Sequence, residues 1–175
     1  MASSSFGITD ITGYAQESLD QNTVFLSLFL CSTTIVLQSI SIFTGNSSGN
    51  ARLAIYSDSS GSPGGLLVES SGSVAVPGNT IVTDSSLSGN PTLTAGNYYW
   101  LAWQVDNSVI NLYSIADSNS HCYINQSFGA FPATIVSPTT YNFMYAIFAT
   151  GNTIVNSTGS IITPNSNNLA FSFNF

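Results

Sequence analysis

Hydrophobic and polar residues alternate with a period of two along most of this chain. The clearest cases are QSISI at 38–42 and FSFNF at 171–175. This period is typical of β-strands with one buried face, and no apolar stripe with helical spacing runs beyond about two turns. The pattern predicts strands at 23–31, 35–43, 52–56, 66–69, 72–76, 80–83, 98–105, 108–113, 141–149, 151–155 and 168–175.

Turn signals separate these segments at intervals of roughly 8 to 12 residues, a spacing that indicates a β-sandwich or a jelly roll. We therefore predict an all-β, antiparallel β-sandwich of jelly-roll type with about 8–11 short strands. Residues 1–150 are expected to form this domain. Residues 151–175 are expected to be a connector and a C-terminal strand, which either completes the same domain or is donated to a neighbouring subunit.

Charge is the unusual feature of the composition. Only 5% of the residues are charged, against about 25% in a typical soluble domain, and the net charge is −7. The chain has no lysine, and Arg52 is its one strong cation. Nucleic acids and anionic membranes need several cationic side chains, so neither is expected as a partner. An uncharged surface costs less to desolvate, which favours self-association or packing against other structural subunits.

The sequence leaves the compartment and the cross-links partly open. The N-terminus has no basic region and no long apolar run, so no signal peptide is predicted. The most apolar stretch, 24–30, is too short for membrane insertion. Cys31 and Cys122 permit one disulfide without requiring it, and a buried free thiol is the alternative for Cys31. These two cysteines and His121 fall short of a zinc site, because no C-x-x-C spacing is present.

The sequence does not predict an enzyme. The only histidine, His121, is expected on the surface in a polar loop, and its neighbour Cys122 would point to the opposite face of a strand. The eight carboxylates are scattered singly, whereas glycoside hydrolysis needs a close pair. No cofactor is predicted, with a structural calcium ion held by Asp58, Asp84 and loop carbonyls as the alternative.

A glycine-rich loop at 58–65 contains Asp58, Pro63 and two consecutive glycines. A phosphate-binding loop would lead into a helix and usually carry a lysine, whereas an apolar strand follows here. The loop is therefore predicted to be a strand connection in which Asp58 caps backbone amides. Arg52 is expected either to pair with a nearby Asp or Glu, for which Asp58 across the turn is a candidate, or to cover apolar surface with its stem.

Aromatic side chains are concentrated in the predicted strand at 98–105. Alternation puts Tyr98 and Trp100 on one face and Tyr99 and Trp103 on the other. One face must fill the core. The other is either exposed, where it could stack on a sugar, or covered by the second sheet or a neighbouring subunit. Tyr98, Trp100 and Trp103 are the candidate ligand-binding residues.

Three Asn-x-Ser/Thr sequons, at Asn46, Asn125 and Asn156, would permit N-glycosylation in a suitable compartment. Sequons arise readily by chance in a chain so rich in asparagine and serine. They are therefore candidate modification sites only.

Two phrases carry a family resemblance: RLAIYSDSSGSPGGLLVES at 52–70 and LTAGNYYWLAWQVDN at 93–107. In them the chain resembles a β-sandwich family found in secreted and cell-surface proteins of bacteria and archaea and in phage virion proteins. The resemblance extends more loosely over residues 6–150. It implies a jelly-roll module with a structural or adhesive role and no catalytic residues to carry over.

Together these patterns favour a non-enzymatic structural subunit of an extracellular assembly, either a virion surface protein or a surface filament. Assembly would use the terminal strand that contains Phe171, Phe173 and Phe175. The alternative is a carbohydrate-binding or adhesion module that recognises cell-surface glycans.

Overall fold

The computed structural model describes residues 2–18, 20–118 and 121–154, and their regular secondary structure is entirely β. All strand pairings are antiparallel, which confirms the predicted all-β class. The arrangement is consistent with a β-sandwich, and the jelly-roll order of strands stays a prediction. The predicted strand at 168–175, with Phe171, Phe173 and Phe175, lies outside the described residues.

The described residues form three sheets. Sheet I consists of β1 (Ser3–Gly7), β4 (Ile35–Phe43), β8 (Ile81–Asp84), β9 (Thr92–Leu93) and β15 (Ile147–Thr153). Sheet II consists of β3 (Thr23–Leu30), β5 (Gly49–Asp58), β6 (Pro63–Glu69), β7 (Val74–Val76), β10 (Tyr98–Val105), β12 (His121–Asn125) and β13 (Thr139–Thr140). Sheet III is the small set β2 (Ala15–Ser18), β11 (Asn111–Ala116) and β14 (Phe143–Tyr145).

The strand order places β10 in the middle of sheet II. That order is β13-β12-β3-β10-β5-β6, with β7 beside β5, and sheet I runs β1-β15-β4-β8, with β9 beside β4. Sheet III runs β14-β11-β2. Within residues 2–18, 20–118 and 121–154 there is no apolar helix of membrane-spanning length.

Sheet II is buried on both faces. Leu101 and Trp103 belong to a first core, which also contains Ile40 and Ile42 of β4. On the other face of β10, Trp100 belongs to a second core. This two-sided burial explains why YYWLAWQV is almost continuously apolar instead of alternating with polar residues.

The second core is closed by the segment 126–138, which we call the covering segment. Its apolar side chains Phe131 and Ile135 pack into the second core. The Tyr56 hydroxyl donates to the Pro132 carbonyl oxygen at 2.8 Å, and the Leu66 amide donates to a carbonyl of the same segment. A stretch without long strands therefore completes the burial of sheet II.

The predicted strands at 35–43 and 98–105 are confirmed at both ends. The strand predicted at 108–113 begins later, at Asn111, and those predicted at 141–149 and 151–155 are replaced by β14 and β15. The boundary placed at residue 150 thus falls inside β15. Fifteen strands are present among the described residues, more than predicted, because several have only two to four residues.

Gly151 allows β15 to lie close to β4. The register between these strands shifts between Thr150 and Gly151, and a Cβ atom at Gly151 would collide with the backbone carbonyl of Val36. We therefore expect Gly151→Ala to lower the free energy of unfolding by about 1–3 kcal/mol, because the strands must move apart. Urea denaturation measures the change.

Gly89→Ala is the matched control. No described atom lies within 4 Å of a Cβ placed at Gly89, so its effect on the same measurement should be small. Equal losses of stability in the two variants would show that the close approach at Gly151 is not what the fold requires.

Candidate functional site

Tyr98 is one of three exposed apolar side chains at one end of sheet II. It is the first residue of β10 and pairs directly with Leu30 of β3. Tyr98 is 49% exposed, Leu30 48% and Leu67 of β6 41%. Tyr98 and Leu67 also line one cavity of about 530 Å³, together with Asp58 and Asn97. We call Leu30, Leu67 and Tyr98 the Tyr98 surface.

Asp58 borders this surface, but its carboxylate already has partners. It accepts a hydrogen bond from the Gly61 amide at 3.1 Å, which confirms that it caps the 58–65 loop. Its Oδ1 also accepts the indole N–H of Trp100 at 2.9 Å. The glycine-rich loop is thus a strand connection that also satisfies a buried tryptophan donor.

Trp100 and Trp103 are not available as a sugar-binding platform. They are 2% and 0% exposed. The alternative in which packing covers these side chains is therefore confirmed for both tryptophans. The second core covers Trp100, and Trp103 stacks on Phe25 with ring centroids 4.6 Å apart. Of the three predicted aromatic ligands, only Tyr98 is exposed.

The expected ion pair of Arg52 with a nearby acid is confirmed, but the acid is Glu69, so the candidate partner Asp58 is wrong. Arg52 donates from Nη2 to Glu69 Oε2 at 3.0 Å and to the Ser70 carbonyl at 2.8 Å. Asp58 lies six positions further along β5, about 20 Å away in an extended strand. Glu69 Oε2 also accepts the amide of Phe131, so this ion pair holds the covering segment.

Asp58 and Asp84 belong to different sheets. Asp84 is buried on β8 and accepts the Ser86 amide at 2.8 Å. No group of three or more His, Cys, Asp or Glu side chains in the described part of the chain could hold a metal ion. A calcium ion bound with the help of loop carbonyls stays a prediction.

His121 is buried at the start of β12, so its predicted surface position is wrong. Its Nε2 lies 3.2 Å from Asp117 Oδ2, and burial lowers the pKa of the imidazole below its ordinary value of 6.5, although Asp117 opposes this shift. Burial raises the pKa of the neighbouring Cys122 thiol to about 12. A thiol with such a pKa is protonated at neutral pH and unreactive.

Both cysteines are free and buried. Cys122 lies opposite Leu26 of β3. Cys31 comes five residues after Leu26, which puts it about 17 Å from Leu26 in an extended chain. A disulfide needs Cα atoms within about 7 Å. The buried free thiol is therefore confirmed for Cys31, and the disulfide alternative is excluded.

Two of the three sequons lie on the surface. Asn46 and Asn125 are exposed, so either could accept a glycan, whereas Asn156 lies outside the described residues. N-glycosylation at these positions stays a prediction.

An aromatic cavity of about 330 Å³ was not predicted from the sequence. Its walls include Phe25, Tyr123, Tyr141 and Tyr145, and we call it the tyrosine cavity. Polar side chains also line it: Ser18, Asp20, Thr23, Asn125 and Thr140. These residues come from three distant stretches of the chain, so no local motif signals the site. In the sequence, only the tyrosines at 123, 141 and 145 give a sign of this cavity.

No protein-family model matches the chain, and no curated protein matches its sequence. The resemblance of 52–70 and 93–107 to a secreted and virion-associated β-sandwich family therefore stays a prediction.

The lowered pKa of His121 predicts a dependence of stability on pH. Below pH 6.5 the imidazole of His121 takes up a proton in the unfolded chain but stays neutral in the folded protein. The free energy of unfolding should therefore fall as the pH drops from 6.5 towards the lower pKa of the folded state. Above pH 6.5 the neutral His121 contributes its full share to the free energy of unfolding. Urea denaturation between about pH 7.5 and 5.5 measures it, because carboxylates titrate mainly at lower pH.

His121→Gln is the control for this pH dependence, since the chain has no other histidine. Its stability should be nearly flat over the same interval. Parallel pH profiles for the natural protein and the variant would contradict the assignment to His121.

Proposed function

We propose that the protein is a non-enzymatic structural subunit of an extracellular assembly, either a virion surface or a surface filament, and that copies associate through the Tyr98 surface. The observation that carries this proposal is the exposure of Tyr98 with two further apolar side chains. Leu30 is its cross-strand partner, Leu67 lines the same cavity, and each of the three is more than 40% exposed. Exposed apolar clusters of this kind are typical of contact surfaces.

The surroundings of this cluster favour contact with an uncharged partner surface. Among the residues that line the cavity beside Tyr98, only Asp58 is charged, and Gly61 and Trp100 already donate to it. A second copy could cover the surface without removing a lysine or arginine from water. Since charged groups are the costliest to desolvate, the low charge content lowers the free-energy cost of assembly.

The surroundings of the candidate catalytic side chains support a non-enzymatic role. His121, Cys31 and Cys122 are all buried, and burial shifts the pKa of each towards its uncharged form. A general base or nucleophile has to reach a substrate. These three side chains instead belong to the packed interior.

An extracellular location is supported by the composition. The chain has no lysine, and serine, threonine, asparagine and glycine replace charged residues over most of its length. The alternating FSFNF sequence at 171–175 is a second candidate contact for assembly, as strand addition uses such a pattern.

We expect the double substitution Leu30→Ser, Tyr98→Ser to weaken self-association by roughly tenfold or more, since aromatic anchors dominate interface energies. Sedimentation velocity over a range of concentrations measures the association, and electron microscopy of the purified protein distinguishes filaments, particles and monomers. Circular dichroism checks that the variant keeps its strands.

Val109→Ser is the matched control, because Val109 is 61% exposed and lies outside the Tyr98 surface. It should assemble like the natural protein. A natural protein that stays monomeric at all concentrations would refute the proposal. If a chain truncated after residue 167 fails to assemble while the double variant assembles normally, the contact lies in the segment after residue 167 and not at the Tyr98 surface.

A further inference from the structure

The tyrosine cavity has a chemistry that self-association through Tyr98 does not use. Its floor comes from two paired strands, in which Phe25 lies opposite Tyr123 and Thr23 lies opposite Asn125. Directly opposed residues share one face of a sheet. An aromatic row and a polar row are therefore fixed side by side by backbone hydrogen bonds between β3 and β12.

The aromatic wall is held rigidly. The rings of Tyr141 and Tyr145 are parallel within 3°, with centroids 6.0 Å apart, and Tyr141 meets Tyr123 nearly edge-on at 85°. Phe25 contacts Tyr141 and Tyr145 at 5.6 and 5.3 Å. The Tyr145 hydroxyl donates to that of Tyr141 at 3.2 Å. This packing buries Tyr145 and Phe25, which are 2% and 6% exposed. The half-buried rings of Tyr123 and Tyr141 are therefore the ones that can face a ligand, and they have little freedom left to lose on binding.

The rim supplies hydrogen-bonding groups that are not already engaged. Asp20, Asn125 and Thr140 are exposed, and no side chain in the described part of the chain forms a hydrogen bond with theirs. Together they offer a carboxylate, an amide and a hydroxyl beside the aromatic wall. Ligand sites typically combine an apolar wall with a few polar groups in a pocket of roughly 300–1,000 Å³, the lower end of which this cavity meets.

We infer that the tyrosine cavity is a binding site for a neutral carbohydrate. A sugar ring has apolar C–H faces that pack on aromatic rings, and its rim of hydroxyl groups can donate to a carboxylate and both donate to and accept from an amide. No cationic side chain lines the cavity, and Asp20 would repel an anionic sugar. The site therefore selects against acidic saccharides.

A quaternary ammonium ligand is the main competing chemistry, since aromatic rings and a carboxylate also suit a cation. In this cavity Tyr141 and Tyr145 are packed against each other, so they form one wall and do not enclose a cation between them. The amide and hydroxyl groups of the rim would also have no partner on a trimethylammonium group. The arrangement favours the sugar.

This site is separate from the Tyr98 surface. Thr23 and Leu30 are the two ends of β3, about 23 Å apart in an extended strand. Phe25 packs in the first core, whereas Trp100, two positions from Tyr98 along β10, packs in the second core, on the other face of sheet II. The inference therefore does not rest on the proposed function, and either can fail without the other.

Nuclear magnetic resonance titration of the full chain, made in a bacterial host that does not glycosylate Asn125, tests the inference. The probes are cellohexaose, chitohexaose and maltohexaose as neutral sugars, an oligogalacturonate as an acidic sugar, and choline chloride as the cation. We expect at least one neutral sugar to shift the signals of Tyr123, Asn125 and Tyr141, and the acidic sugar to leave them unchanged.

Two conservative variants locate the binding groups. Asn125→Ala and Asp20→Asn should each weaken binding by about fivefold or more, the factor expected for one lost hydrogen bond. Both positions are exposed, so folding should survive, and the amide spectrum checks this. Leu30→Ser, Tyr98→Ser is the control and should bind the sugar as the natural protein does.

The inference would be overturned by no shift at the cavity with any neutral sugar at millimolar concentration, by a shift with choline alone, or by equal binding of the acidic sugar. Sugar-induced shifts confined to residues around Tyr98 would also overturn it. Loss of sugar binding in the control variant but not in Asn125→Ala would place the site at the Tyr98 surface instead.

Discussion

The burial of sheet II on both faces is the constraint on which the rest of the structure depends. Strand β10 carries large apolar side chains in both directions, Trp103 into the first core and Trp100 into the second. A sheet with two apolar faces needs a cover on each side, and sheet I supplies only one. The covering segment supplies the second cover. Arg52 helps to hold this segment, because Glu69 accepts hydrogen bonds from both the Arg52 guanidinium and the Phe131 amide.

This constraint also decides where ligands or partners can bind. The aromatic side chains in the middle of β10 are buried in the two cores, so only its first residue, Tyr98, is exposed. At the other end of the neighbouring strand β3, sheet II meets Tyr141 and Tyr145. Tyr145 is buried there, and the half-buried rings of Tyr123 and Tyr141 line the tyrosine cavity. The two surfaces differ in character. The Tyr98 surface exposes apolar side chains, whereas the tyrosine cavity combines aromatic rings with a polar rim.

The strands were predictable where the local pattern was strong, and the sites were not. The alternation around QSISI and the dense aromatic run at 98–105 gave strand limits that the structure confirms. Strand β12 was missed because His121 follows a polar stretch, and its burial depends on β3, nearly a hundred residues earlier. Arg52 was paired with the acid nearest in sequence, whereas antiparallel pairing with β6 brings Glu69 closer. The tyrosine cavity exists only through long-range pairing, so no short motif could reveal it.

The isolation of Arg52 has a consequence for resistance to proteolysis. Proteases that cleave after lysine or arginine find a single target bond in the whole chain. That bond lies within β5, between the hydrogen-bonded neighbours β6 and β10, and the arginine side chain is only 14% exposed. Cleavage needs an extended, accessible segment, which this strand would provide only after sheet II had opened. The folded protein therefore offers trypsin-like enzymes almost nothing to cut.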